Sequence, residues 1–145
     1  MTAESGFDLH DASLNGVYFV DDEDIEPIAE AAIAAALCVA RLDLADCRDK
    51  TDLLQRLADA LHFPAWFGHN WDALDDALHD LSWLPASGYV LLFEHADTLR
   101  DAAEDDFETL LDILADATDD AADDGLPWHV FFALPEDEFD NTTPA

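Results

Sequence analysis

Basic residues are nearly absent from this chain: Lys and Arg number 5 against 35 Asp and Glu, for a formal charge of -30 and a pI near 4.1. A molecule so acidic repels nucleic acid and anionic membranes, and both are excluded as expected partners. Cations and basic proteins are what it attracts. Cysteine is also scarce. Cys38 lies in an apolar run and Cys47 beside charged residues, which makes neither a disulfide framework nor a CxxC metal knuckle, so both are read as reduced thiols. Long hydrophobic runs are missing too. Ala31 to Ala40 is the longest, well short of the roughly 20 residues that cross a bilayer. The start, MTAESGFDLHD, has no basic and then apolar leader, so a cytoplasmic location is expected.

What is present suits one domain: 145 residues, half of them apolar, are enough to bury a core, with no repeat and no separable linker. Residues 1–15 are expected to form a disordered polar arm and 135–145 a frayed tail, with a single domain over 16–134 whose first part, 16–36, is a strand-helix unit. GVYFV reads as a buried strand. Asp24 is a suitable N-cap for an alanine-rich helix over Ile25–Ala36. LCVARLDL reads as a second strand, and Thr51 can cap a helix carrying Leu53, Leu54, Leu57, Ala58 and Leu61 at helical spacing. GYVLLFE, apolar without alternation, suits a strand covered on both faces. A long helix follows with Phe107, Leu110, Leu111, Leu114, Ala117 and Ala121 as its stripe, Gly125 is placed for its C′ stop, and WHVFFAL is the last strand. Alternating strands and helices predict an α/β domain with a small, mainly parallel, three- or four-stranded sheet packed by helices.

Between the second helix and the third strand lies FPAWFGHNWDALDDALHDLSWL, residues 63–84. With Asn70 as N-cap and Trp71 first in the helix, ~100° per residue places Trp71, Leu74, Ala77, Leu78 and Leu81 on one side and Asp72, Asp75, Asp76, His79 and Asp80 on the other. The pairs Asp72/Asp76 and Asp76/Asp80 repel by only about 0.2–0.5 kcal/mol each. Acids elsewhere, from Asp101 to Asp124, are scattered widely enough that most of the charge reads as a solvated surface, such as a salt-tolerant host would select. The approach to this helix is what singles it out. Trp66 and Phe67 precede the carboxylates, with Gly68 allowing a tight turn, and aromatics beside acids suit an interface with an Arg- or Lys-bearing partner. Burial in the core is the expectation for Phe67, whereas for Trp66 core and interface stay equally open.

FPAWFGHNWDALDDAL resembles the signature of the barstar family, intracellular inhibitors of secreted barnase-type ribonucleases. The pattern is Pro, any residue, two aromatics, Gly, any residue, Asn, an apolar residue, Asp, Ala, Leu, any residue, Asp, and it is met by Pro64, Trp66, Phe67, Gly68, Asn70, Trp71, Asp72, Ala73, Leu74 and Asp76. The order of elements matches as well, over residues 37–134. The resemblance implies a non-enzymatic, cofactor-free inhibitor, monomeric when free, whose partner is a small basic secreted ribonuclease or other basic toxin. It implies an immunity protein or antitoxin. Trp66 and Phe67 would lie against the nuclease, while Asp72 and Asp76 enter its cleft and Asp76 takes the place of a substrate phosphate, with Gly68, Asn70, Asp75 and His79 counted in the same partner-binding face. An acid near the end of the long helix is also a family contact, a role for which Asp120 is put forward over Asp123 and Asp124. The chain departs from the type member of the family at the two aromatics, tyrosines there, at Asp75, where a tryptophan stands, and in the unit before residue 37.

Other readings remain open at this level. Asp72, Asp76, His79 and Asp80 could chelate a cation, as an acidic metal-binding module or metal-dependent enzyme would require, although no metal site is assigned. The partner could be a basic protein that is no ribonuclease. His69 has no Ser or Cys nucleophile beside it. His62, His95 and His129 are read as boundary residues and Trp71, Trp83 and Trp128 as core. Self-repulsion should weaken the fold when ions are scarce. Raising NaCl from about 10 mM to 1 M is therefore expected to raise the thermal unfolding midpoint, checked by circular dichroism; a midpoint independent of salt would contradict it.

Overall fold

The computed structural model describes residues 9–63, 67–68, 70–80 and 86–134. The tail expected over 135–145 and the first eight residues of the expected arm lie outside that set. The described elements are a 3₁₀ turn (Ala12–Leu14), β1 (Gly16–Asp21), α1 (Asp22–Ala34), β2 (Cys38–Asp43), α2 (Lys50–Leu61), α3 (Trp71–Asp80), β3 (Tyr89–Glu94), α4 (Asp97–Ala102), α5 (Glu104–Asp123) and β4 (Trp128–Leu134). All four strands run parallel in the order β1-β4-β3-β2. The α/β architecture expected from the alternation is thus present, with four strands and a wholly parallel sheet.

That order dictates where the helices go. From β1 the chain crosses to the far edge, and from β2 it steps back through β3 to β4. Right-handed crossovers in opposite directions put their helices on opposite faces. Accordingly α1 covers one face, where Ile25, Ala29 and Ala32 meet Val90, Leu92, Phe131 and Ala133. On the other face Leu53, Leu57, Leu74, Leu99, Phe107 and Leu114 from α2 to α5 meet Leu91, Phe93, Val130 and Phe132. The pairing Phe93↔Phe132 brings these rings into a stack at 4.4 Å, and Phe107 closes on Phe132 edge-on at 5.5 Å. Each such buried side chain contributes about 1.5–3 kcal/mol over leaving it in water.

Several local expectations need correction. Asp24 is not the N-cap of α1. Asp21 holds that position, and Asp24 sits one turn in, where its carboxylate accepts the Asp21 backbone N–H at 3.2 Å. A strand that runs to Asp21 leads straight into the helix, so the start falls earlier and Asp22, Glu23 and Asp24 all face the positive end of the dipole. Thr51 likewise yields to Asp49, whose side chain accepts from the Asp52 N–H at 2.9 Å. Residues 9–15, expected within a disordered arm, are packed on the domain. Leu9 is buried, and the Asn15 amide donates to Thr118 O and Leu126 O while its oxygen accepts from Trp128 N–H, at 2.9, 2.9 and 2.8 Å. His129, expected at a boundary, is fully buried and donates from Nε2 to Leu9 O at 2.9 Å. Trp128 is core as expected, Trp71 is half-buried, and Trp83 lies outside the described residues. The short helix α4 had no expectation attached to it.

The C-terminal ends of α1 and α5 close in the same way. After α5, Leu126 N–H bonds Ala121 O and Gly125 N–H bonds Ala122 O, with Gly125 at φ 72, as its C′ role anticipates. After α1, Leu37 N–H bonds Ala32 O and Ala36 N–H bonds Ile33 O, yet the left-handed residue is an alanine, Ala36, at φ 63. A Cβ there costs roughly 1–2 kcal/mol, of which the extra entropy of an unfolded glycine would offset part. Ala36→Gly is expected to stabilise the protein by about 0.5–1 kcal/mol in urea titrations; a loss of stability would show that the cap geometry is misassigned.

Candidate functional site

The crossover rule that sets α2 to α5 on one face also brings α3 beside α5. Asn70 starts α3 as expected: its Oδ1 accepts the Ala73 N–H at 2.8 Å and its carbonyl the Leu74 N–H at 3.0 Å. Gly68 precedes it without a left-handed backbone. Its requirement is room, because a Cβ would lie 3.2 Å from the Asn70 amide nitrogen. Leu74, Ala77 and Leu78 are buried, so the apolar side of the expected helix is the core side.

Phe67 is 5% exposed and meets Phe63 at 4.6 Å between ring centres. It is a core residue, as the residue-level reading holds, and the partner contact stays what the resemblance implies for it. Trp66, Leu81 and His69 lie outside the described residues.

The charged side of α3 divides in two. Asp72, Asp76 and Asp80 are exposed, and no hydrogen bond or ion pair to another side chain reaches them among the described residues. Asp75 and His79, expected on the same open face, turn instead toward α5. On a helical wheel they lie to one side of Asp72 and Asp76, which is the side that α5 flanks. His79 Nδ1 donates to the Asp75 carbonyl at 2.8 Å and Nε2 to Asp120 Oδ2 at 2.7 Å. Asp75 Oδ1 at 3.3 Å and Asp116 Oδ2 at 3.8 Å complete the surround. The Asp75 carbonyl holds the imidazole above its ordinary value; burial, next in size, opposes it, and the Asp120 hydrogen bond and the charges of Asp75 and Asp120 add to the rise.

Of the acids weighed on α5, Asp120 therefore is the one joined to α3, while Asp123 ends the helix and Asp124 caps it. Neither Asp116 nor the inward turn of Asp75 is legible in the sequence, since nothing local says which helix packs against which. Ligand atoms of Asp75, His79 and Asp116 lie within 4.8 Å of one another, a different set from the Asp72, Asp76, His79 and Asp80 face considered for a cation. A ring that donates from both nitrogens has no lone pair to give, so a cation there would compete with these hydrogen bonds for His79.

The scarce cations are engaged elsewhere. Arg41 bridges Glu26 of α1 and Glu94 of β3 at 3.3 and 2.9 Å. Arg56 grips Asp52 at 2.9 Å and the carbonyls of Asp43 and Ala45. Arg48 and Arg100 pair with neighbouring aspartates, and Lys50 lies 6.0 Å above the Trp71 ring. A second His–Asp pair, His95 with Asp43 at 2.8 Å, belongs to the carboxyl ends of β2 and β3 rather than to α3.

A family model described as Barstar (barnase inhibitor) matches residues 37–133. Among solved structures, the fold is similar to a chain in the structure of Drosophila ORC bound to DNA, with 19% identity, a TM-score of 0.51, and coverage of 86% of this chain and 33% of that one. It is also similar to the Aeropyrum pernix ORC2 protein in ADPNP-ADP complexes, with 14% identity, a TM-score of 0.53, and coverage of 86% and 35%. This chain thus spans about a third of the length of either neighbour, and at such identities only the fold is shared. No curated protein matches it.

Removing the cap of α3 gives a direct check on the geometry. Asn70→Ala is expected to destabilise the protein by about 1 kcal/mol, measured by urea titration, by orphaning the Ala73 N–H; an unchanged midpoint would mean that the cap is not formed.

Proposed function

The chain belongs to the barstar family, and from that premise we propose that it inhibits a small, basic, secreted ribonuclease of the barnase type from within the cytoplasm, as an immunity protein or antitoxin. The single observation carrying this reading is the outer side of α3, where Asp72, Asp76 and Asp80 stand exposed with no basic side chain paired to them among the described residues. An exposed row of carboxylates is complementary to a partner that supplies cations, and a nuclease cleft built for phosphate supplies them in the right form. Asp76 is the group that takes the place of a phosphate, with Asp72 beside it. Asp120 and, as the family signature implies, Trp66 extend the contact. Inhibition needs no chemistry by the inhibitor, so neither a cofactor nor a catalytic residue is involved. The DNA named with one structural neighbour is not carried over, because a charge of -30 opposes it.

The test is a titration of a barnase-type ribonuclease with this protein at about 0.1 M salt. Wild type is expected to inhibit at one equivalent. Asp76→Ala should weaken inhibition by about 30-fold or more, the lower end of the cost of removing one member of a buried charge pair, a range for which barnase and barstar are themselves the reference case. Wild type inert at every ratio would overturn the nuclease assignment and leave another basic protein as the partner class.

A further inference from the structure

The two ring nitrogens of His79 face a backbone carbonyl and a carboxylate, at 2.8 and 2.7 Å. Neither a carbonyl nor a carboxylate donates, so making both hydrogen bonds requires hydrogen on both nitrogens, and a ring with two N–H groups is an imidazolium. Its charge sits in a seam whose other ionisable members within ion-pair distance, among the described residues, are all acids: Asp75 on its own helix at 3.3 Å, and Asp116 and Asp120 on α5 at 3.8 and 2.7 Å. Asp76 and Asp80, its helix neighbours, add to the same sign. No lysine or arginine pairs with any of the three seam carboxylates among the described residues.

We infer that His79 is a positioning residue of the partner-binding face, a doubly donating cationic ring that clamps the acidic helix α3 to α5 and holds Asp120 beside it. The inference rests on the inhibitor reading for its consequence, though not for the clamp itself. Without the ring charge, Asp75, Asp116 and Asp120 would meet across the seam uncompensated, and the spacing between the two helices that carry Asp76 and Asp120 would be set by repulsion. With it, the carboxylate array is held before the partner arrives, so less ordering is left to the encounter. The clamp depends on a proton. The folded-state pKa is raised, chiefly by the Asp75 carbonyl and then by Asp120. Its stabilisation is therefore fully present below the pKa of an unfolded histidine and is lost as pH rises through the folded value, where a neutral ring keeps only one of the two hydrogen bonds.

Two measurements test this on the full chain. In the first, the imidazole resonances of His79 are followed by NMR against pH in wild type and in Asp120→Asn. A midpoint above that of free imidazole, falling toward it in the variant, is expected; an ordinary or depressed midpoint, or one indifferent to Asp120→Asn, overturns the clamp. In the second, nuclease affinity is compared between wild type and His79→Gln from pH 5.5 to 8.5. Wild type should bind roughly two- to fivefold more tightly at the acid end, as a partly exposed ion pair allows, and the gap should close as pH passes the folded pKa. A gap that is absent, or that stays constant with pH as a merely structural loss would, overturns the positioning role. Should wild type fail to bind any barnase-type nuclease, the proposed function falls and the NMR result alone decides the clamp.

Discussion

A parallel sheet cannot leave either face in water, because its strands are apolar on both sides. In this protein Val90 and Leu92 point one way and Leu91 and Phe93 the other, all buried. Most of the remaining architecture follows from covering them. The step from β1 to the far edge supplies α1 for one face, and the return through β3 to β4 supplies the other helices for the opposite one. The strand-helix unit before residue 37 is thus part of the domain's closure: it adds the edge strand beside β4 and the cover over Phe131 and Ala133. Arg41, joining Glu26 of α1 to Glu94 of β3, ties that layer to the sheet.

Charge is the second constraint, and it acts by scarcity. With so few cations available, each one placed against an acid leaves the others without one. Arg41 and Arg56 sit where the chain itself needs them, joining β2 to Glu94 of β3 and α2 to the end of β2. What remains for the seam between α3 and α5 is a histidine, and for the outer side of α3 nothing from the described chain. The same scarcity explains both an internal clamp that depends on a proton and an outer surface suited to a basic partner.

Much of the fold was legible because strong periodicity and apolar runs carry it. β4 and the body of α5 fall where their residues place them, and Asn70 and Gly125 act as a cap and a stop. Errors gather where two local choices were close. Asp21, Asp22 and Asp24 are all acceptable near a helix start, and only the length of β1 decides among them. The packed stretch from Leu9 to Asn15 reads as a polar arm because its anchors, Leu9 O on His129 and Asn15 on β4, are more than a hundred residues away in sequence. Phe67 shows both kinds of reading at once: the resemblance pointed to a partner and residue type to burial, and packing against Phe63 bears out the burial.

By itself the sequence determined the class of fold, the acidic helix and the family signature, since these depend on residue type and on spacing along one segment. Only the tertiary structure decided which of the acids pair with a group of the same chain. Asp75, Asp116 and Asp120 gather around His79 because α5 packs beside α3, whereas Asp72 and Asp76, one turn apart on the same helix, face outward. That division depends on the angle at which two helices meet, a quantity no local pattern encodes, because it is set by the side chains of the whole core between them.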